Sequence, residues 1–170
     1  GHGMSTKDMK HNLAAMAKDF HDIPREKKNL KKVGIVGEIY VKYSSFGNNG
    51  LEEFLLSQGC EFMVPGVLGF FQFFFMHPIT DYGYYGGKKG KVLISRLACR
   101  ILDRWEEALI DALKPYPEFA SPVAFSEVKR LAGEVVDLGV KMGEGWLLPG
   151  EAAELIEKGY NNIICTQPFG

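Results

Sequence analysis

The stretch from Val33 to Gly50, VGIVGEIYVKYSSFGNNG, leaves the chain few ways to fold. Val33 to Val41 is almost wholly apolar, broken only by Gly34, Gly37 and Glu38. Apolar side chains fall on both alternating faces, which predicts a central strand covered on two sides, as in a parallel sheet. The chain then turns small and polar at Ser44, Ser45, Gly47, Asn48, Asn49 and Gly50, and an amphipathic helix is predicted over residues 51–58. Strand, polar loop and helix N-terminus form the unit by which α/β proteins present a ligand site. Cys60–Val64 is a second predicted strand, closed by Pro65-Gly66, so the segment reads as a βαβ unit.

The detail of that unit argues against a phosphate. Asn49 followed by Glu52 resembles a capping box with Asn49 as N-cap, and Gly59 suits the helix C-terminus. Glu52 and Glu53 complement the positive end of the helix dipole and so already occupy it. Glu38, a charge late in a buried strand, needs a partner such as Lys42 or an open crevice.

The remaining segments read as support. With 170 residues, the chain suits one domain, and 46% hydrophobic against 24% charged residues provides for a packed core. A formal net charge of -1 lacks the basic excess of a nucleic-acid binder. Cys60, Cys99 and Cys165 have no paired spacing, so neither a disulfide framework nor a zinc site is expected, and a reduced cytoplasmic setting fits. The longest apolar run, Phe62 to Met76, is interrupted by Pro65, Gly66, Gly69 and Gln72 and falls short of the ~20 residues of a membrane span. No metal site, nucleic acid or membrane is expected.

Gly1-His2-Gly3 ahead of Met4 reads as a cloning remnant. Ser5 to Phe20 is a predicted helix closed off by Pro24, with His11 and His21 solvated, and Arg25 to Lys32 is a charged connector. Residues 1–31 are therefore set apart from an α/β domain at 32–170. Val67 to His77 holds five phenylalanines between Phe70 and Phe75, which need cover all round: either a helix buried on several sides or a docking surface. Thr80–Gly90 reads as a loop; its glycines and lysines do not have P-loop spacing. Val92–Leu113 is the longest predicted helix, with Leu93, Leu97, Ile101, Trp105 and Leu109 as its inward stripe. Ser126–Gly139 is another, capped by those two residues, and Pro149 opens a helix running to Lys158. Asn162–Thr166 is the third strand, and an end so close after it, at Gln-Pro-Phe-Gly, predicts a chain truncated at its C-terminus.

Three stretches together, Val33–Asn49, GEGWLLPGE at 143–151 and NNIICTQPFG at 161–170, resemble the large 2-hydroxyglutaryl-CoA dehydratase activator-like proteins of anaerobic bacteria. The resemblance implies α/β folds and membership of a system in which ATP hydrolysis drives one-electron transfer from a [4Fe-4S] cluster to an iron-sulfur dehydratase-like partner. Relatives continue past Gln-Pro-Phe into a Cys-Leu-Pro-Asn-His pattern, which none of the three cysteines here matches. The [4Fe-4S] cluster and ATP thus belong to the larger parent protein, with no cofactor expected in this segment. Its partners would be other domains of that protein or a dehydratase subunit, with a homodimer through Phe70–Phe75 as a further contact.

The expected fold is α/β: a three-layer, Rossmann- or flavodoxin-like small parallel sheet of order 2-1-3 flanked by helices, with an N-terminal helix. Its candidate ligand-binding residues are Glu38, Ser44, Ser45, Asn48, Asn49, Glu144, Trp146 and Gln167, at loops near the strand ends. The helix between GEGW and the third strand is expected to hold GEGW at the opposite edge, in conflict with Glu144 as a co-ligand. No Ser/His/Asp set or carboxylate cluster gives a catalytic assignment. Two other functions are open: a stand-alone flavodoxin-like nucleotide or CoA module, and an interaction domain docking through the Phe-rich segment.

Overall fold

Residues 6–26 and 28–168 are described by the computed structural model of the chain. The elements are α1 (Thr6–Asp22), β1 (Lys31–Gly37), α2 (Ile39–Tyr43), α3 (Leu51–Ser57), β2 (Cys60–Met63), α4 (Leu68–Tyr85), α5 (Lys89–Leu113), α6 (Phe125–Val135), α7 (Leu147–Glu157) and β3 (Asn162–Thr166). The proposed remnant at 1–3, the predicted helix start at Ser5 and the terminal Phe169-Gly170 lie outside the described residues.

The three strands form one parallel sheet of order β2-β1-β3, with Lys31 opposite Cys60 and Val33 opposite Asn162. Alternation along β1 explains the layers. Val33 and Ile35 pack with Leu55 of α3 on one face, while Val36 packs with Leu155 of α7 and Tyr160 on the other. A third cluster is purely helical: Phe73 of α4, Phe125, Val128 and Ala132 of α6, and Trp146 and Leu147 at the start of α7. The chain is thus a small three-layer α/β fold with an added helical flank.

Several boundaries differ from the sequence reading. The strand expected to run to Val41 ends at Gly37, whose φ of 141° turns the chain, and Ile39–Tyr43 is helical. A β-carbon at Gly37 would lie 2.0 Å from the Thr166 carbonyl oxygen, so only glycine lets β3 approach this turn. Gly50, in the left-handed region, is the N-cap of α3 in place of Asn49. Ser126 lies inside α6, and neither it nor Gly139 caps that helix. His21 is not simply solvated: it contacts Glu118 and stacks on Tyr116.

The Thr80–Gly90 loop is mostly helix, because α4 runs through Pro78 to Tyr85. Proline removes one helical hydrogen bond at a cost of about 3 kcal/mol, which the packing of α4 along α5 outweighs. That packing also reverses α5. Its buried face carries Val92, Ser95, Cys99, Leu102 and Glu106, whereas Leu93, Leu97, Ile101 and Trp105 point outward. Small residues let α4 approach closely, and Gln72 reaches across to Asp103 and Glu106. Among the phenylalanines, Phe73 is buried while Phe71 and Phe74 are exposed.

Candidate functional site

The turn after β1 sets the site. The Glu38 amide donates to the Thr166 carbonyl at 3.0 Å, tying the carboxyl ends of β1 and β3 together. Two carboxylates then satisfy α2's first amides. Glu38 Oε2 accepts from Val41 N at 2.9 Å, and Glu144 Oε1 accepts from Ile39 N at 3.0 Å. Both place negative charge where the amides of a helix start are unsatisfied, so the turn has no opening for a phosphate.

Glu144 therefore lies at the carboxyl edge of the sheet, against the expectation that α7 would hold GEGW at the opposite edge. The reason is directional. A helix that crosses over to a parallel strand runs antiparallel to it, so its N-terminus starts at the carboxyl edge.

One turn into α2, Lys42 points inward rather than to Glu38. Its ammonium donates to both oxygens of Glu151 on α7, at 3.0 and 2.8 Å, with the side chains only 3% and 5% exposed. Burial pushes the Glu151 carboxyl above its ordinary range, and the Lys42 charge opposes that shift. Burial, with the Glu151 charge second, raises the neighbouring Tyr43 hydroxyl, which donates to the Pro65 carbonyl at the end of β2. Tyr43 stays protonated at neutral pH and links α2 to β2.

The loop 44–50 spends much of its polarity on itself. Ser44 Oγ accepts from Gly47 N at 3.1 Å, the Ser45 carbonyl accepts from Gly50 N at 2.8 Å, and Asn48 Oδ1 accepts from Leu51 N at 3.1 Å. Asn48, not Asn49, thus supplies the side-chain cap for α3; Asn49 is exposed in the left-handed region. Phe46 stands 92% exposed at the loop tip. Gln167 is exposed just past β3.

Trp146 is not at the crevice. It is 1% exposed, with its ring 5.0 Å from Phe73 and 5.7 Å from Phe125, and it anchors the helical core. The glycines that flank Glu144 drew attention to Trp146 after them; its neighbours Leu147 and Leu148 mark it as the start of an apolar helix.

A cavity of about 190 Å³ lies behind the ion pair, with Met63, Pro65, Phe125, Glu106, Glu151 and Glu154 among its walls. Its carboxylates are engaged. Glu106 Oε2 accepts from Phe125 N at 2.9 Å and Gln72 Nε2 at 3.4 Å, and burial raises its carboxyl against those bonds. Glu154 Oε1 accepts from Val123 N at 3.2 Å and pairs with Lys158. Among the described residues no cluster of three or more His, Cys, Asp or Glu could hold a metal ion.

The structure thus gathers Glu38, Ser44, Ser45, Asn48, Asn49 and Gln167 on the loops at one edge, brings Glu144 to them, and removes Trp146. Reading the sequence offered Lys42 to Glu38 and missed Glu151, its actual partner, and Phe46. Only Phe46 carried a signal, as a lone aromatic inside a polar loop. At this edge Glu38 and Glu144 are held by backbone amides and Glu151 by Lys42. Among the described residues no helix is long and apolar enough to cross a membrane. Compared with family models, curated proteins and solved structures, the chain matches none.

Proposed function

We propose that this chain is a domain of a 2-hydroxyacyl-CoA dehydratase activator-like protein of the cytoplasm of an anaerobic bacterium, part of an ATP-driven iron-sulfur electron-transfer system, and that it is not catalytic by itself. One observation carries the reading. The three stretches that bear the resemblance are far apart in the chain yet meet at one edge of the sheet. Glu38 N bonds Thr166 O, Ile39 N bonds Glu144 and Lys42 pairs with Glu151.

The chain's own cysteines do not suit a [4Fe-4S] cluster. Cys60 and Cys165 stand on β2 and β3, on either side of β1 and opposite Lys31 and Val36, so two strand spacings and five residues of strand separate them, roughly 19 Å. Cys99 lies buried on α5, where desolvation raises its thiol and disfavours the thiolate that iron needs. The cluster and ATP accordingly belong to other parts of the assembly. The domain's contribution is recognition, with Phe46 as the exposed anchor beside Ser45, Asn49 and Gln167.

A stand-alone nucleotide or CoA module is less well supported, since the turn's amides are already capped by carboxylates. Calorimetric titration of the chain against a purified 2-hydroxyacyl-CoA dehydratase component tests the proposal. Saturable binding is expected, weakened about tenfold by Phe46→Ser. No association, or a thermal shift with FMN or CoA instead, would favour the module reading.

A further inference from the structure

The cavity behind the Lys42–Glu151 pair is lined by three carboxylates, and only two of them have a cation. Glu151 is taken by Lys42 and Glu154 by Lys158. Glu106 of α5 is 8% exposed, and among the described residues no lysine, arginine or histidine pairs with it. Its Oε2 accepts from the Phe125 amide and from Gln72 Nε2, whereas its Oε1 accepts no hydrogen bond among the described residues. Burial raises its carboxyl, and the negative charges of Asp103 and Glu154 add to the rise. A buried carboxylate without a counter-charge is costly. Gln72, fully buried beside it, also leaves its Oε1 without a donor. This part of the core is therefore short of one positive charge and of hydrogen-bond donors.

The rest of the wall selects the kind of cation. Met63, Leu68, Leu109, Val128, Leu147 and Leu155 line the same space. A metal ion needs a shell of oxygen or nitrogen ligands, which such walls do not supply. An amino acid would set its own carboxylate against Glu151 and Glu154. A primary amine with a small apolar body meets both conditions. Its ammonium offers donors and a charge to Glu106, and its body covers the apolar wall. The volume agrees. The cavity measures about 190 Å³, and one of about 150 Å³ is enough to hold benzene, so a single ring with an aminomethyl group fits.

We propose that this cavity binds a small apolar primary amine, a monocation whose ammonium pairs with Glu106 while its hydrocarbon body fills the space between α5, α6 and α7. This goes beyond the proposed function and does not depend on it.

Calorimetric titration of the 170-residue chain with benzylamine, benzyl alcohol and toluene tests the proposal, because the three share a body and differ in charge. Benzylamine is expected to bind saturably with a Kd of about 1 mM or below, and about tenfold more tightly than either neutral compound. Glu106→Gln keeps an acceptor for the Phe125 amide and should lose about tenfold in benzylamine affinity while leaving that for toluene unchanged. A second measurement needs no substitution. In the wild type, benzylamine should shift the amide resonances of Glu106, Leu109, Phe125 and Val128 more than those of β1. No saturable binding up to about 10 mM would overturn the proposal. So would equal affinity for toluene, unchanged affinity in folded Glu106→Gln, or resonance shifts centred away from the cavity.

Discussion

Gly37 is the residue on which the site's geometry turns. Its φ of 141° and the 2.0 Å separation between a virtual β-carbon and the Thr166 carbonyl exclude any side chain without moving β3. Gly37→Ala should therefore cost about 3–5 kcal/mol in denaturant unfolding. Gly59→Ala is the control: φ is 68°, nothing lies within 4 Å, and only the left-handed backbone cost of about 1–2 kcal/mol applies. Equal losses at both would remove the argument for close approach. The buried Lys42–Glu151 pair is a second single-residue dependency. Lys42→Met leaves a carboxylate buried without its cation and should destabilise by about 3–5 kcal/mol, while Lys42→Met with Glu151→Met should recover much of it. The pH dependence has a definite sign. Burial already raises Glu151, and removing Lys42 removes what opposed that rise. The folded variant then binds a proton more readily than the unfolded chain. Its deficit should be largest above the folded pKa and shrink as pH falls toward the ordinary glutamate range, as measured by stability at several pH values.

At the scale of elements, α1 depends on one exposed glutamate. Glu118 receives the His21 ring and the Arg25 guanidinium, the latter at 3.0 Å, and the His21 bond foremost holds its carboxyl down at about 2. A depressed carboxyl contributes stability above its unfolded pKa and loses it as pH falls through the folded value. Between pH 4.5 and 2, α1 should therefore loosen ahead of the sheet, seen as faster amide exchange in residues 6–22 than in β1. Glu118→Gln should show the loosening already at pH 6; protection unchanged at both would mean that α1 is held by its apolar contacts alone. The same helix shows what a sequence can and cannot convey. Its periodicity was legible because Met9, Leu13 and Met16 repeat locally, and the three strands and their order were legible because β1 is apolar on both faces. The orientation of α5 was not. Leu93, Leu97, Ile101 and Trp105 form its most hydrophobic stripe, yet the buried face is chosen by α4, whose Gln72 needs Asp103 and Glu106 as partners. Pro78 hid the second half of α4 for a similar reason, since a local cost was outweighed by a distant packing surface. At the site, the loop residues were legible from composition, but the Lys42–Glu151 pair joins positions 109 residues apart with no local trace.

For the molecule as a whole, the question is whether the sheet and the helical flank unfold together. Through their buried side chains, β1 and α7 join the three clusters. β1 gives Val33 and Ile35 to one and Val36 to another, and α7 gives Leu155 to the Val36 cluster and Leu147 to the helical one. Any transition that frees α7 must therefore expose Val36 at the centre of the sheet and Phe73 on α4. The Lys42–Glu151 pair reinforces the link, because separating α7 from α2 strands two charges. The two tryptophans allow a direct measurement. Trp105 is partly exposed on α5, while Trp146 sits at the head of α7 within 5.0 Å of Phe73. In Trp105→Phe, the remaining fluorescence reports the helical cluster, and far-UV circular dichroism reports all the helices. Coincident urea midpoints and slopes are expected for one cooperative unit. A fluorescence transition that precedes the dichroic one would show α4, α6 and the head of α7 opening as a separate body. The edge formed by Glu38, Glu144 and Thr166 would then be lost while the rest of the sheet survived.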